Sequence, residues 1–177
     1  YDELKKIAKE HNLLIIEDAA QSVGATFNGV HSGKIGDINS FAFYATKNIM
    51  SGEGGMVTTD NPDFARRALL FRQHGQDGKT KYEYHMMGYN FRMTDMQAAI
   101  ANVQMKHIDE ITNQRIANAA KYYEGLKDIE GIILPYKDER CKHVYHQFSI
   151  RITNKFKMNR DKFAEYLDKE GIGYGIY

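Results

Sequence analysis

The sequence predicts an α/β fold, and three observations support this prediction. Residues 2–11 place apolar side chains at helical spacing, and the continuous apolar run 13–16 follows directly. Such a run is typical of a strand buried on both faces of a parallel sheet. Two more strand-like runs, 38–45 and 56–59, flank a glycine cluster as in a hairpin, and further helical patterns follow. Helices that alternate with buried strands indicate a layered α/β domain.

Turn and capping residues predict the next elements. Residues 22–36 contain four glycines and predict a loop. Asn61 as N-cap and Pro62 at the first helical position predict the start of a helix, which ends near 74–75. The polar residues 76–84 then predict an exposed loop.

A second helical region begins at Thr94, which forms a potential capping box with Gln97. Apolar residues continue at helical spacing to about residue 126, as one helix or two consecutive pieces. After it the pattern changes to short strands. We therefore predict a large α/β domain over residues 1–127 and part of a smaller α/β domain over residues 128–177.

Within the smaller domain, residues 132–134 and 144–152 predict strands and residues 160–170 a helix. Residues 171–177 predict the beginning of another strand. Because the chain also starts at Tyr1 rather than methionine, we expect it to be a fragment of a longer subunit.

Composition excludes several classes of protein. A chain of 177 residues with 42% hydrophobic residues can bury a sizeable core. Lys and Arg total 24 against 23 for Asp and Glu, so neither nucleic acid nor a membrane surface is expected as a partner. The single cysteine, Cys141, excludes an internal disulfide. Without a spanning segment or leader pattern, the predicted location is the cytoplasm.

Lys47 is the candidate for covalent chemistry. It follows one predicted strand and precedes the glycines of the hairpin. A partly desolvated lysine loses its proton readily and attacks carbonyl groups. Asp18 follows the first predicted strand, and ligands of open α/β sheets collect at the carboxyl ends of strands. A pyridoxal cofactor needs both a lysine and a carboxylate, although a surface lysine and a turn-capping aspartate remain alternatives.

Several short motifs occur in a defined order along the chain. They are Asp18-Ala-Ala-Gln21, Phe43-Tyr-Ala-Thr-Lys47-Asn, Gly52-Glu-Gly-Gly55, Gly88-Tyr-Asn-Phe-Arg-Met93, Asp95 and Gln97-Ala-Ala99. Together they resemble the DegT/DnrJ/EryC1/StrS family of pyridoxal-phosphate-dependent sugar aminotransferases. The resemblance covers essentially the whole chain. It implies the fold-type I (aspartate aminotransferase-like) architecture, with part of the large domain and the start of the small C-terminal domain.

The resemblance also implies roles for individual residues. Lys47 would bind the cofactor aldehyde covalently and afterwards move the proton between substrate and cofactor. Asp18 would pair with the pyridinium nitrogen, Ala20 would lie against the ring face, and Gln21 would hydrogen-bond the ring hydroxyl. Asn90 would reach the cofactor phosphate of the neighbouring subunit, which implies at least a homodimer with shared active sites.

One position departs from the family pattern. Five residues before the lysine, where the family commonly has a phosphate-binding serine, this chain has Ala42. Either Ser40 substitutes for that serine or the phosphate depends on residues outside this chain. Lys47 itself matches the pattern of aminotransferases, whereas related sugar dehydratases have histidine there.

The activity implied by the resemblance is transfer of an amino group from glutamate, or a similar donor, to a nucleotide-linked keto-deoxysugar. Such a reaction belongs to polysaccharide biosynthesis. A cyclitol or another ketone is an alternative acceptor, and a non-catalytic regulatory relative is an alternative of another class. We expect these 177 residues alone to be inactive, because one side of the cofactor pocket would be missing.

A metal site is not expected. Cys141, His143 and His146 are close in sequence, but in a continuous strand His146 would point to the opposite face from the other two. The sequence therefore predicts no common metal ion for these residues.

Overall fold

The computed structural model describes residues 1–177, which form five helices and eight short strands. In chain order the elements are α1 (Asp2–Glu10), β1 (Ile16–Asp18), β2 (Thr26–Phe27), β3 (Val30–His31), β4 (Ile38–Ala42), β5 (Gly55–Thr58), α2 (Pro62–Arg72), α3 (Asp95–Lys106), α4 (Ile108–Leu126), β6 (Ile132–Ile133), β7 (Cys141–Lys142), β8 (Arg151–Ile152) and α5 (Arg160–Lys169).

The sheet that positions the candidate site has the strand order β1-β4-β5. β1 and β4 are parallel, with Asp18 opposite Ser40, and β4 and β5 form the predicted antiparallel hairpin. This combination of a parallel pair, a hairpin and surrounding helices confirms the α/β class.

The first strand differs from the prediction. It begins only at Ile16, and the side chains of Leu13, Leu14 and Ile16 are 59%, 64% and 77% exposed rather than buried. Of β1, only Glu17 is buried, and its carboxylate accepts hydrogen bonds from Gly33 N (2.8 Å) and Ile35 N (3.3 Å). The prediction of burial was wrong because no element of this chain covers the apolar run.

The predicted loop over residues 22–36 contains a hairpin, β2–β3. Its turn residues Asn28 and Gly29 have φ values of 49° and 77°, which suits the two-residue turn favoured between antiparallel strands. An Asn-Gly pair is the strongest short-range hairpin signal, so the sequence did contain this information. β7 extends the hairpin by pairing with β2.

The helix predictions are confirmed by their caps. Asn61 Oδ1 accepts hydrogen bonds from the backbone nitrogens of Asp63 (2.9 Å) and Phe64 (3.2 Å) at the start of α2. Thr94 and Gln97 form the predicted capping box of α3. The long helical region is two helices, α3 and α4, which meet at His107.

The C-terminal part contains a two-stranded sheet, β6–β8, followed by α5. The predicted strand over 144–152 is wrong, since only Arg151–Ile152 is extended and paired. One cause is Tyr145, whose φ of 44° interrupts extended backbone. Residues 171–177 form no strand. The division after residue 127 stays a prediction.

A small hydrophobic core supports the segment around Lys47. Its buried members are Val23, Phe43, Ile49 and Ala101, and Ile49 is completely buried. Complete burial of such a side chain stabilises the fold by about 1.5–3 kcal/mol. Among the five helices, none is both long and apolar enough to cross a membrane.

Candidate functional site

Lys47 lies in a tight turn after β4, and the turn is fixed by backbone hydrogen bonds. Phe43 N donates to Gly54 O (2.8 Å), Ser51 N donates to Phe43 O (2.8 Å), and Lys47 N donates to Tyr44 O (2.9 Å). The lysine residue is half-buried, and Asn48 directly after it is buried. The backbone that carries the amine is therefore well anchored.

The glycines after Lys47 allow close backbone packing. A Cβ at Gly54, whose φ is 146°, would lie 2.6 Å from Met93 Sδ. A Cβ at Gly55 would lie 2.6 Å from the carbonyl oxygen of Phe41 on the paired strand. These two contacts explain the glycines through the hairpin and the core, without a bound molecule.

Asp18 is the last residue of β1, and its carboxylate is open on one side. Oδ1 accepts a hydrogen bond from Ala20 N (3.0 Å), which fixes the side-chain direction, while Oδ2 accepts none within the chain. Ser40 is its register partner on β4, and the following backbone is tied to it through Ala19 N and Ser40 O (2.8 Å). Asp18 thus offers one oriented oxygen at the carboxyl end of the parallel strands.

A polar cleft of about 330 Å³ lies beside Asp18. Its lining includes Asp18, Gln21, His143, His146, Gln147 and Ser149. Ala20, which lies between Asp18 and Gln21 in the sequence, is half-buried. The structure therefore brings Asp18 and Gln21 together in one cleft. A larger cleft, of about 700 Å³, opens near Asp37 and contains none of the predicted site residues.

Asn48 connects the Lys47 turn to this cleft. Its Nδ2 donates to Val144 O (3.2 Å), and its Oδ1 lies 3.1 Å from His146 Nδ1. Burial, the positive charge of Lys47 and that of Arg115 lower the pKa of His146. Lys47 is thus close enough to act electrostatically on a residue that lines the cleft with Asp18.

The segment that carries His143 and His146 is held from a second side by α4. Arg115 Nη1 donates to Tyr145 O (3.2 Å) and also lies within 3.5 Å of His146 O. Neither Asn48 nor Arg115 was predicted from sequence. Each acts on a segment that is distant along the chain, and no local pattern marks such a contact.

The predicted orientation of the two histidines is wrong. Both line the same cleft, because extended backbone ends at Lys142 and the positive φ of Tyr145 breaks the alternation of faces. Cys141 lies instead in β7, opposite Phe27. No group of three or more His, Cys, Asp or Glu side chains is arranged to hold a metal ion.

Asn90 lies apart from the cleft. It forms an isolated bridge with Gln73 after α2, and it is exposed. The structure does not bring it together with Asp18 and Gln21 within one chain.

Ala42 is paired with Gly55 at the end of β4, whereas Ser40 is paired with both Asp18 and Val57. Two residues along a strand separate the two side chains by about 6.6 Å. Ser40 therefore lies beside Asp18 rather than at the position of the family serine.

Comparison with known proteins gives a consistent result. The sequence profile of the DegT/DnrJ/EryC1/StrS aminotransferase family matches residues 1–177. The chain is 38% identical to a pleiotropic regulatory protein of Geobacillus stearothermophilus, over 97% of this chain and 45% of that protein. It is 37% identical to GDP-perosamine synthase of Caulobacter vibrioides, over 97% of this chain and 46% of that enzyme.

Among solved structures, DesV of S. venezuelae in complex with a ketimine intermediate superposes with a TM-score of 0.89. The two are 36% identical, over 97% of this chain and 45% of that chain. The predicted fold-type I architecture is thereby confirmed. The chain spans slightly less than half the length of these relatives.

Proposed function

Because the chain belongs to the DegT/DnrJ/EryC1/StrS aminotransferase family, we propose that the whole protein is a pyridoxal-phosphate-dependent sugar aminotransferase. It transfers an amino group from glutamate, or a similar amino donor, to the keto group of a nucleotide-linked deoxysugar. The observation that supports this most is the anchored Lys47 turn, tied through Asn48 to the cleft that Asp18 lines.

The residues present fit pyridoxal phosphate. Asp18 has one carboxylate oxygen without a partner in the chain, which suits a protonated ring nitrogen. Lys47, on the turn tied to this cleft through Asn48, would supply the amine for the aldehyde, and Gln21 lines the cleft together with Asp18, with an amide suited to the ring hydroxyl. Ala20 is small enough to lie against the ring face.

When bound, pyridoxal phosphate supplies an aldehyde for amines and a ring that accepts electrons. Lys47 would hold the group through its amine, and the same amine, when free, would move a proton to or from the reacting substrate carbon. Asp18 would hold a proton on the ring nitrogen by stabilising its positive charge. The Asn48 and Arg115 contacts hold the opposite wall of the cleft in place.

Asn90 completes the phosphate site of the partner subunit in this proposal, so the active enzyme is a homodimer with shared sites. Its exposure and its absence from the lining of the cleft that contains Asp18 support that assignment. The enzyme works in the cytoplasm, where nucleotide-linked sugars are made into polysaccharide precursors.

Two alternatives have their own tests. A cyclitol or other ketone acceptor would appear as higher kcat/KM for that ketone than for any keto-sugar nucleotide. A non-catalytic regulatory role is favoured by the similarity to one relative, the pleiotropic regulatory protein of Geobacillus stearothermophilus. It would appear as cofactor binding without amino transfer.

Reductive labelling of the full-length protein tests the proposal. Borohydride treatment in the presence of pyridoxal phosphate should leave a phosphopyridoxyl mass on the peptide that contains Lys47. Lys34→Arg is a matched control, since Lys34 is exposed and borders the other cleft, and it should label normally. Lys47→Arg should abolish the label. Label on another lysine, or none on the unmodified protein, would refute the proposal.

A further inference from the structure

The two histidines of the cleft use the same ring atom in opposite ways. The backbone nitrogen of Tyr145 donates to His143 Nδ1 at 2.9 Å. A backbone N–H can only donate, so Nδ1 of His143 carries a lone pair. In the neutral ring, the proton of His143 is therefore on Nε2, which is left as a hydrogen-bond donor.

His146 has the reverse arrangement. The amide of Asn48 is oriented by Val144, whose carbonyl oxygen accepts from Nδ2 at 3.2 Å. Oδ1 of Asn48 must then face His146 Nδ1, 3.1 Å away, and a carbonyl oxygen only accepts. Nδ1 of His146 is therefore protonated, and its Nε2 is left as a hydrogen-bond acceptor.

Both rings are held in place by these hydrogen bonds, and the neutral form is favoured in both. Burial lowers the pKa of His143, and burial together with the charges of Lys47 and Arg115 lowers the pKa of His146. Asp18 is the one carboxylate that lines the same cleft, and its negative charge acts in the opposite direction, towards the protonated rings. Tyr145 adopts a left-handed conformation, which non-glycine residues rarely adopt and which often accompanies a functional constraint.

We infer that His143 and His146 form a donor–acceptor pair that binds a hydroxyl-bearing part of the sugar substrate beside Lys47. A hydroxyl group donates one hydrogen bond and accepts others, so one hydroxyl, or two neighbouring ones, satisfies both Nε2 atoms. The cleft wall around the pair is polar and contains Gln147 and Ser149, which suits a sugar better than an apolar ligand. The inference rests on the proposed function and names the residues that recognise its acceptor.

The tautomers are tested first, by NMR of the full-length protein with labelled histidine. Signals are assigned by comparison with His143→Gln and His146→Gln. At pH 7 we expect His143 as the Nε2–H tautomer and His146 as the Nδ1–H tautomer, both neutral. If the two rings share one tautomer, or either is charged at pH 7, the inference is wrong.

Binding is tested by calorimetry with UDP-N-acetylglucosamine, dTDP-glucose and GDP-mannose, each compared with its free nucleoside diphosphate. The ratio of the two Kd values isolates the contribution of the sugar. For the sugar nucleotide that binds tightest, His143→Phe and His146→Phe should each weaken binding about threefold to tenfold, the loss expected for one neutral hydrogen bond. Binding of the free nucleotide should change less than about twofold.

His31→Phe is the matched control, because His31 is exposed on β3 and lies outside this cleft. It should leave both Kd values unchanged. Equal weakening of sugar nucleotide and free nucleotide, or no sugar-dependent tightening with any of the three probes, would overturn the inference. Neither measurement needs Lys47, so a failed label at Lys47 refutes the proposed reaction without affecting this test.

Discussion

The turn around Lys47 and the segment 76–90 each contain a residue predicted to contact the cofactor, Lys47 and Asn90, yet the chain supports the two regions very differently. Beside Lys47, Asn48 and Ile49 are 5% and 0% exposed. In the other segment, Tyr82 and Met87 are 69% and 78% exposed. Packing within one chain therefore determines the position of the lysine but leaves the surface before Asn90 open.

The contacts of the two regions differ in the same way. Asn48 is hydrogen-bonded to a segment 96 residues away, and it is buried. The 76–90 segment is tied to the end of α2 by backbone hydrogen bonds such as Tyr89 N to Phe71 O (2.7 Å). Its one ion pair, His85 Nε2 to Asp77 Oδ2 at 3.4 Å, joins partly exposed side chains. Surface ion pairs contribute little because water screens them. The difference is expected if Asn90 acts in a second subunit, which would supply the missing contacts.

Among the substitutions that test this difference between the two regions, Asn48→Ala in the full-length protein should have the largest effect on stability. The substitution leaves the buried Val144 O and the partly buried His146 Nδ1 without partners, so we expect the free energy of unfolding to fall by about 2–4 kcal/mol. Urea unfolding monitored by circular dichroism measures it. Asn102→Ala, on the exposed face of α3, is the control and should change stability by less than about 0.5 kcal/mol. An equally small change for Asn48→Ala would show that the Lys47 turn is not anchored through Asn48.

A smaller effect should appear in the pH dependence of stability. The folded pKa values of His143 and His146 are lowered from 6.5, so below that pH the unfolded chain binds more protons than the folded one. The free energy of unfolding should therefore fall as pH decreases from about 6.5 through the lowered values. His146→Gln should reduce this slope in urea titrations, whereas His31→Gln should not. A slope that is unchanged in His146→Gln would contradict the assigned cause.

Local signals explain which parts of these regions were predictable from sequence. The caps at Asn61 and Thr94 depend on residues two or three positions away, and the structure confirms both. The Asn28-Gly29 turn is an equally local signal, although only a loop was predicted there. By contrast, the burial of residues 13–16 depends on what packs against them, and that information is not in the run itself.

The candidate site shows the same limit. Asp18, Gln21 and Lys47 were found because short motifs contain them, and Asp18 and Gln21 do line one cleft. The role of Asn48 could not be found, since its partners lie 96 and 98 residues away. The left-handed backbone of Tyr145 also has no sequence signal, and it reversed the predicted direction of His146.

The smallest effect should come from Asp77→Asn, which removes the charge that faces His85. The pKa of Asp77 is lowered, first by the hydrogen bond from Lys79 N and then by His85. The Asp77 carboxylate therefore contributes to the free energy of unfolding above the usual pKa of 3.8, and this contribution is lost as pH falls through the lowered pKa. That pH range lies well below the one in which the two cleft histidines act. At pH 7 the midpoint of thermal unfolding should shift by less than about 1 °C, while hydrogen exchange over residues 76–88 becomes faster. Asp63→Asn, in the exposed first turn of α2, is the control and should leave exchange in that segment unchanged. If Asp77→Asn instead lowers global stability as much as Asn48→Ala, the two regions are not supported differently.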